Sequence, residues 1–202
     1  MLPSMRARWF VLALLAAAGC AGSREISCPP GTTERGGAPP KYAATWCEKR
    51  GGVRHGPIVG YTRSGRVLYE GHLADGVWHG IVRGFGADGE PLGAVAIHRG
   101  TGSWKMWHEN GRLAEEGAYK AGKKVGAWAA FHDNGAKAVE GTYADGLESG
   151  VFRWWSPRGE LVAEIEYDKG RYHGTARTFD EEGRLLVETR YVDGVRQAAL
   201  ER

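Results

Sequence analysis

The residues whose type and spacing could do chemistry are few. Glutamates recur at Glu70, Glu116, Glu140, Glu164 and Glu188, the last four spaced 24 residues apart. Convergent carboxylates would suit acid-base work or a hard cation such as calcium, which takes several oxygen ligands. Lys105, Arg112, Lys120, Lys123, Lys124, Arg153, Lys169, Arg171 and Arg190 are interspersed with them, so solvated or cross-strand ion pairs are the expected use. His55, His79 and His173 each precede a glycine, and His108 and His132 stand 24 residues apart. Such periodic placement assigns them to turns, and a metal site would need companion ligands that the spacing does not supply. Ser103, Ser149 and Ser156 lack both the strand-turn-helix context and the acid partner of an activated nucleophile. Gly84-Phe85-Gly86 and Gly100-Thr101-Gly102 are repeat glycines, not a phosphate-cradling loop. No catalytic residue, metal or cofactor is expected.

The three cysteines carry a different message. Arg6 and Arg8 precede the apolar run Trp9 to Ala18, which ends in Gly19-Cys20. A basic start, an apolar stretch too short to span a bilayer comfortably and small residues at its end make an export signal. Small residues directly before a cysteine resemble the lipobox of bacterial lipoproteins. That resemblance implies cleavage after residue 19 and lipidation of Cys20; the other reading is ordinary secretion with cleavage near Ala18. Ala21, rather than Asp, follows the cysteine, which by the sorting rule of enteric bacteria favours the outer membrane of a Gram-negative cell. Residues 1–19 hold two of the 27 Lys and Arg and none of the 24 Asp and Glu, so the remainder is nearly neutral and nucleic-acid binding is not expected. In an oxidising compartment the even pair Cys28 and Cys47, 19 positions apart, is expected to form a disulfide. The loop closed would contribute about 3 kcal/mol. Residues 20–54 read as a tether and a stapled cap.

The elements that must position everything else are written in glycine. There are 32 glycines in 202 residues, roughly twice the usual ~7%. Proline, at 8, is too scarce for collagen, and 42% hydrophobic residues are too many for a disordered chain. Gly56, Gly80, Gly102, Gly126, Gly150 and Gly174 open six units, spaced by 24 residues except for one spacing of 22. At offset 9 from each stand Gly65, Gly89, Gly111, Gly135, Gly159 and Gly183; at offset 20 stand Gly76, Gly100, Gly122, Gly146, Gly170 and Gly194. Offset 5 is always aromatic (Tyr61, Phe85, Trp107, Phe131, Trp155, Phe179), and offset 17 reads Leu73, Ile97, Tyr119, Tyr143, Tyr167, Tyr191.

Each unit reads as a β-hairpin, because Asn110-Gly111 or Asp88-Gly89 between apolar runs is a strong hairpin signal. A three-residue turn ending in a left-handed glycine would pair offset 5 with offset 11, Trp107 with Leu113, and would set Trp104 against Glu116. Six hairpins in series predict an all-β, elongated sheet of about twelve strands, roughly 55 Å long at ~4.8 Å per strand. Parity then places offsets 5 and 17 on the packed face. Offset 2, with Trp104, Trp128 and Phe152, falls on the opposite face, where two readings are open: ordinary packing of that second face, or an exposed ladder that serves as a binding face. The period stops after Gly194, leaving residues 197–202 as a tail.

Glycine, aromatic, Asn-Gly turn, Glu, Tyr and Asp-Gly over about 24 residues resembles the MORN repeat family, in the variant of bacterial MORN-repeat antitoxin-like proteins. The resemblance covers residues 55–196. It implies a β-hairpin array used for binding or scaffolding, with no enzymatic activity of its own. With the export signal, the expectation is a lipid-anchored envelope protein that meets the membrane through Cys20 and recognises another envelope protein. The alternative is an antitoxin or immunity protein that neutralises a toxin in the periplasm.

Overall fold

A computed structural model describes residues 25–39 and 43–197. Cys20 and the export signal lie outside these, as does the end of the tail. The described residues form strands and turns with no helix. Two strands, β1 (Thr32–Gly36) and β2 (Ala44–Lys49), precede the units. The units follow as hairpins: β3 (Arg54–Tyr61) with β4 (Val67–Ala74), β5 (Val77–Phe85) with β6 (Pro91–Ile97), and β7 (Gly102–Trp107) with β8 (Leu113–Lys120). Then come β9 (Lys123–Phe131) with β10 (Lys137–Ala144), β11 (Leu147–Trp155) with β12 (Leu161–Asp168), and β13 (Arg171–Phe179) with β14 (Leu185–Val192). The short β15 (Val195–Arg196) ends the series. All pairings are antiparallel between sequence neighbours, in one sheet of six strands, β1 to β6, and one of nine, β7 to β15.

The hairpin turns are the three-residue type expected. In the third unit the Gly111 amide donates to the His108 carbonyl at 3.0 Å and the His108 amide to the Arg112 carbonyl at 2.8 Å, with Gly111 at φ 85°. Trp107 pairs with Leu113 as predicted. The connectors are two-residue turns with both residues left-handed, for example Asp145 at φ 51° and Gly146 at φ 87° between the paired Ala144 and Leu147. Asp-Gly suits that turn, because its backbone twist matches that of the flanking strands.

Just inside each hairpin turn the second strand carries one extra residue. Trp107 faces Leu113, but Met106 faces Glu115, so Ala114 is unopposed. The same shift occurs in the other five units. A β-bulge moves every following side chain to the other face. Trp104 therefore lies opposite Gly117, and Lys105 takes Glu116. Offset 17 consequently joins offset 2, not offset 5, on the packed face.

This rules out the exposed-ladder reading of offset 2 and its use as a binding face, and puts the column in the core. Trp104, Trp128 and Phe152 are only 6%, 5% and 3% exposed. Trp104 and Trp128 sit in the core cluster with Val82, Val95 and Ile97, against which Tyr119 and Tyr143 pack. Ring contacts run without a break from Tyr69 through Trp78, Trp104, Tyr119, Trp128, Tyr143, Phe152 and Tyr167 to Tyr172 and Tyr191, mostly edge-to-face. That geometry suits the ring quadrupoles. The indole N–H of Trp104 donates to Glu115 at 3.1 Å and that of Trp128 to the Ala118 carbonyl at 3.2 Å, which satisfies both donors. The offset-5 aromatics, apart from the buried Tyr61, are half-buried at the turn end.

Where the rings sit, the cross-strand position is emptied. A β-carbon built on Gly117 would lie 2.3 Å from the Trp128 ring, and one on Gly141 would lie 2.4 Å from that of Phe152. In the next unit the sizes reverse, and Ile165 pairs with Ala176. Side-chain volume is thus shared across the unit boundary at close to constant total, as a close-packed interior requires.

A single sheet was expected, and the break falls at the short spacing. Four connectors place three residues of the incoming strand against one of the outgoing strand, as where Glu116 faces Ala129 and Ala118 faces Val125. The 22-residue spacing removes the two extra residues of that bulge, and with them the added local twist it supplies. Only the His98–Thr101 bridge then links β6 to β7. The core nevertheless crosses the seam: Trp78 and Trp104 lie 5.4 Å apart, and the Trp107 ring covers Gly84 and Gly93.

Ahead of the units, the expected disulfide is present. Cys28 and Cys47 form a disulfide with a Cα–Cα distance of 5.5 Å. Cys47 is 1% exposed, Pro29 packs on Gly56, and β2 continues the ladder onto β3.

Candidate binding face

With the aromatic side committed to the core, the opposite face of the sheet is the one that carries the charged columns. It carries offsets 1, 3, 14 and 16, and its chemistry is an ordered row of charges. The glutamate column is paired along its length, as the sequence reading expected. Arg83 meets Glu70 at 3.5 Å and Lys105 meets Glu116 at 3.5 Å. Arg153 spans Glu140 at 3.7 Å and Glu164 at 2.8 Å, and Arg177 spans Glu164 at 3.2 Å and Glu188 at 2.7 Å. Pairs this exposed contribute little individually, of order 0–1 kcal/mol each. Their repetition keeps the face polar and discourages indiscriminate apolar association.

In the middle of this face is a groove of about 540 Å³ running from Ser103 across β8, β9 and β10 to Arg153. Its floor is small, with Ala118, Ala127, Ala129 and Thr142, and its charges are Lys105, Glu116, Glu140 and Arg153. Sequence reasoning missed it, although the offset-3 column holds the signal. That column reads Val59, Arg83, Lys105, Ala129, Arg153 and Arg177, and the groove is centred where the basic residue is absent.

Five of the seven histidines hold turns. The Nδ1 atoms of His55 and His79 accept the amides of Asp75 and Arg99 at 3.2 Å, and His173 accepts that of Asp193 at 3.4 Å. The Nε2 atoms of His108 and His132 lie 2.8 Å from the carbonyls of Phe131 and Trp155 in the following unit. Asn110 and Asn134 donate in the same direction, to the carbonyls of Asp133 and Pro157 at 2.6 Å. These turn residues clip one hairpin to the next. Among the described residues no group of three or more His, Cys, Asp or Glu converges as a metal site would require.

Burial pushes the Tyr119 hydroxyl up to about 12 and raises those of Tyr69, Tyr143 and Tyr167. The hydrogen bond from Lys49, at 2.5 Å, holds the Asp75 carboxyl below the usual carboxylate range.

The hairpins β7–β8 and β13–β14 are also where comparison with known families gives a result. No curated protein compared with the chain matches it. Residues 101–121 and 172–193 each match the family described as MORN repeat variant, so the chain is similar to that family over those two hairpins.

Proposed function

We propose that this chain is a non-enzymatic, lipid-anchored protein of the bacterial envelope that recognises a protein partner through the charged face of its hairpin array. The observation that carries this reading is the division of labour between the faces. Aromatic side chains are consumed by the core, while the other face presents an open groove across three units. The two MORN-variant matches support a repeat protein used for binding, and the anchoring rests on Ala17-Ala18-Gly19-Cys20. The disulfide is in keeping with an oxidising compartment.

Two measurements test the proposal. Cys20→Ser should release the protein from the membrane fraction, and continued sedimentation with membranes after a high-salt wash would refute the anchor. A photo-crosslinking residue at the exposed Thr142 should give a discrete protein adduct in intact cells. The same probe at Arg158, exposed at a hairpin tip, serves as control. Equal adducts from both positions would argue against the face.

A further inference from the structure

We infer that the groove is a receptor for a basic side chain: it takes a polypeptide segment of the partner that presents an arginine or lysine into the space over Ala129. This deepens the binding role proposed above and rests on it. The argument begins with the register. Ala129 in β9 faces Glu116 of β8 on one side and Glu140 of β10 on the other. At the equivalent places in the next two units, Arg153 and Arg177 each bridge the two flanking glutamates. At Ala129 the two glutamates remain and the bridging cation does not. Lys105 of β7 reaches Glu116, and Lys137 of β10 itself and Arg153 of β11 reach Glu140, so none of these cations stands between the two glutamates as Arg153 and Arg177 do in theirs. The side-chain volume removed at Ala129 lies within the groove, and its carboxylates match a guanidinium in charge and hydrogen-bonding capacity.

The chain itself supplies a precedent for a segment lying on this face. Over the first two units, Glu25, Ile26 and Ser27 form one wall of a second cavity, of about 350 Å³. The columns beneath are the same, represented by Pro57, Val59, Glu70, His72 and Arg83. A non-strand stretch of polypeptide is thus accommodated on the same columns that form the groove floor farther along. Small residues at Ala118, Ala127 and Ala129 leave room there for a backbone to approach.

The probe is a pair of blocked pentapeptides, Thr-Val-Arg-Val-Thr and Thr-Val-Gln-Val-Thr, titrated into the protein while backbone amide shifts are followed. The arginine peptide should shift the amides of Lys105, Glu116, Ala129 and Glu140, and the glutamine peptide should bind at least tenfold more weakly. Ala129→Arg should abolish the shifts by filling the space in cis, and should raise the melting temperature by completing the row. Ala129→Ser, which leaves the space open, should retain binding. Equal binding of the two peptides, shifts centred elsewhere, or undiminished binding to Ala129→Arg would each overturn the inference. Crosslinking from Thr142 separates this from the broader role. A cellular adduct that persists in Ala129→Arg leaves the binding face standing and refutes the cation receptor. A peptide that seats as described, with no adduct in cells, supports the receptor and refutes the cellular role assigned to the face.

Discussion

Exchanging the volumes at a unit boundary should be tolerated where changing either one alone is not. Gly141 and Phe152 share one site in the core, with the ring 2.4 Å from where a β-carbon on Gly141 would stand. Ile165 and Ala176 occupy the corresponding site one unit later with the sizes reversed. Phe152→Ala alone should leave a cavity at a position only 3% exposed, costing about 3–5 kcal/mol. Gly141→Ile alone should force the ring aside, costing about 1–3 kcal/mol or more. The backbone itself permits isoleucine, since Gly141 is not among the positive-φ residues. Combining the two recreates the Ile165–Ala176 arrangement. The double variant should therefore be more stable than Phe152→Ala, with a favourable coupling of about 2 kcal/mol or more. Urea unfolding followed by circular dichroism and tryptophan fluorescence would read this, because Trp154 lies 6.0 Å from Phe152. Additive losses, or a double variant worse than both singles, would refute the volume-sharing argument.

Other outcomes follow from the same geometry. Reducing the Cys28–Cys47 disulfide, which closes a separation of 19 residues, should cost about 3 kcal/mol, measured by denaturation with and without reductant. Gly135 has φ 87°, so Gly135→Val should lose about 1–2 kcal/mol while Gly135→Asn loses less; equal melting temperatures would contradict the left-handed turn. Alkaline stability should fall in a defined window. Tyr119 is raised from 10.0 to about 12, so its neutral form is favoured in the fold. That stabilisation is complete below pH 10, where the tyrosine of the unfolded chain is also neutral, and is lost as pH rises from 10 towards 12. Tyrosinate absorbance should accordingly show a group titrating near 12 that returns to the ordinary range in denaturant.

The sequence by itself determined the repeat, the hairpins, the turn type and the disulfide. Each of those depends on local chemistry. A glycine with positive φ, an Asn-Gly pair or an even cysteine count acts over a few residues or through a simple covalent constraint. The ion pairs of the glutamate column were legible for the same reason, since opposite charges recurring at one period must meet when the units stack.

Only the tertiary structure decided which face is inside. The unopposed Ala114 reverses the facing of everything after it, and one bulged residue leaves no compositional mark. Trp104, Trp128 and Phe152 thereby belong to the core and not to an exposed ladder. The seam between β6 and β7 was likewise invisible, because a spacing of 22 instead of 24 resembles a harmless deletion until the pairing that those two residues support is known. The groove over Ala129 needed both strands flanking it. An alanine in a mostly basic column acquires meaning only when Glu116 and Glu140, 13 residues before it and 11 after it in the chain, are brought to its two sides by the register. Periodicity specifies what repeats, whereas side-chain facing and cross-strand neighbours depend on hydrogen-bond register, which is settled only when the strands pair.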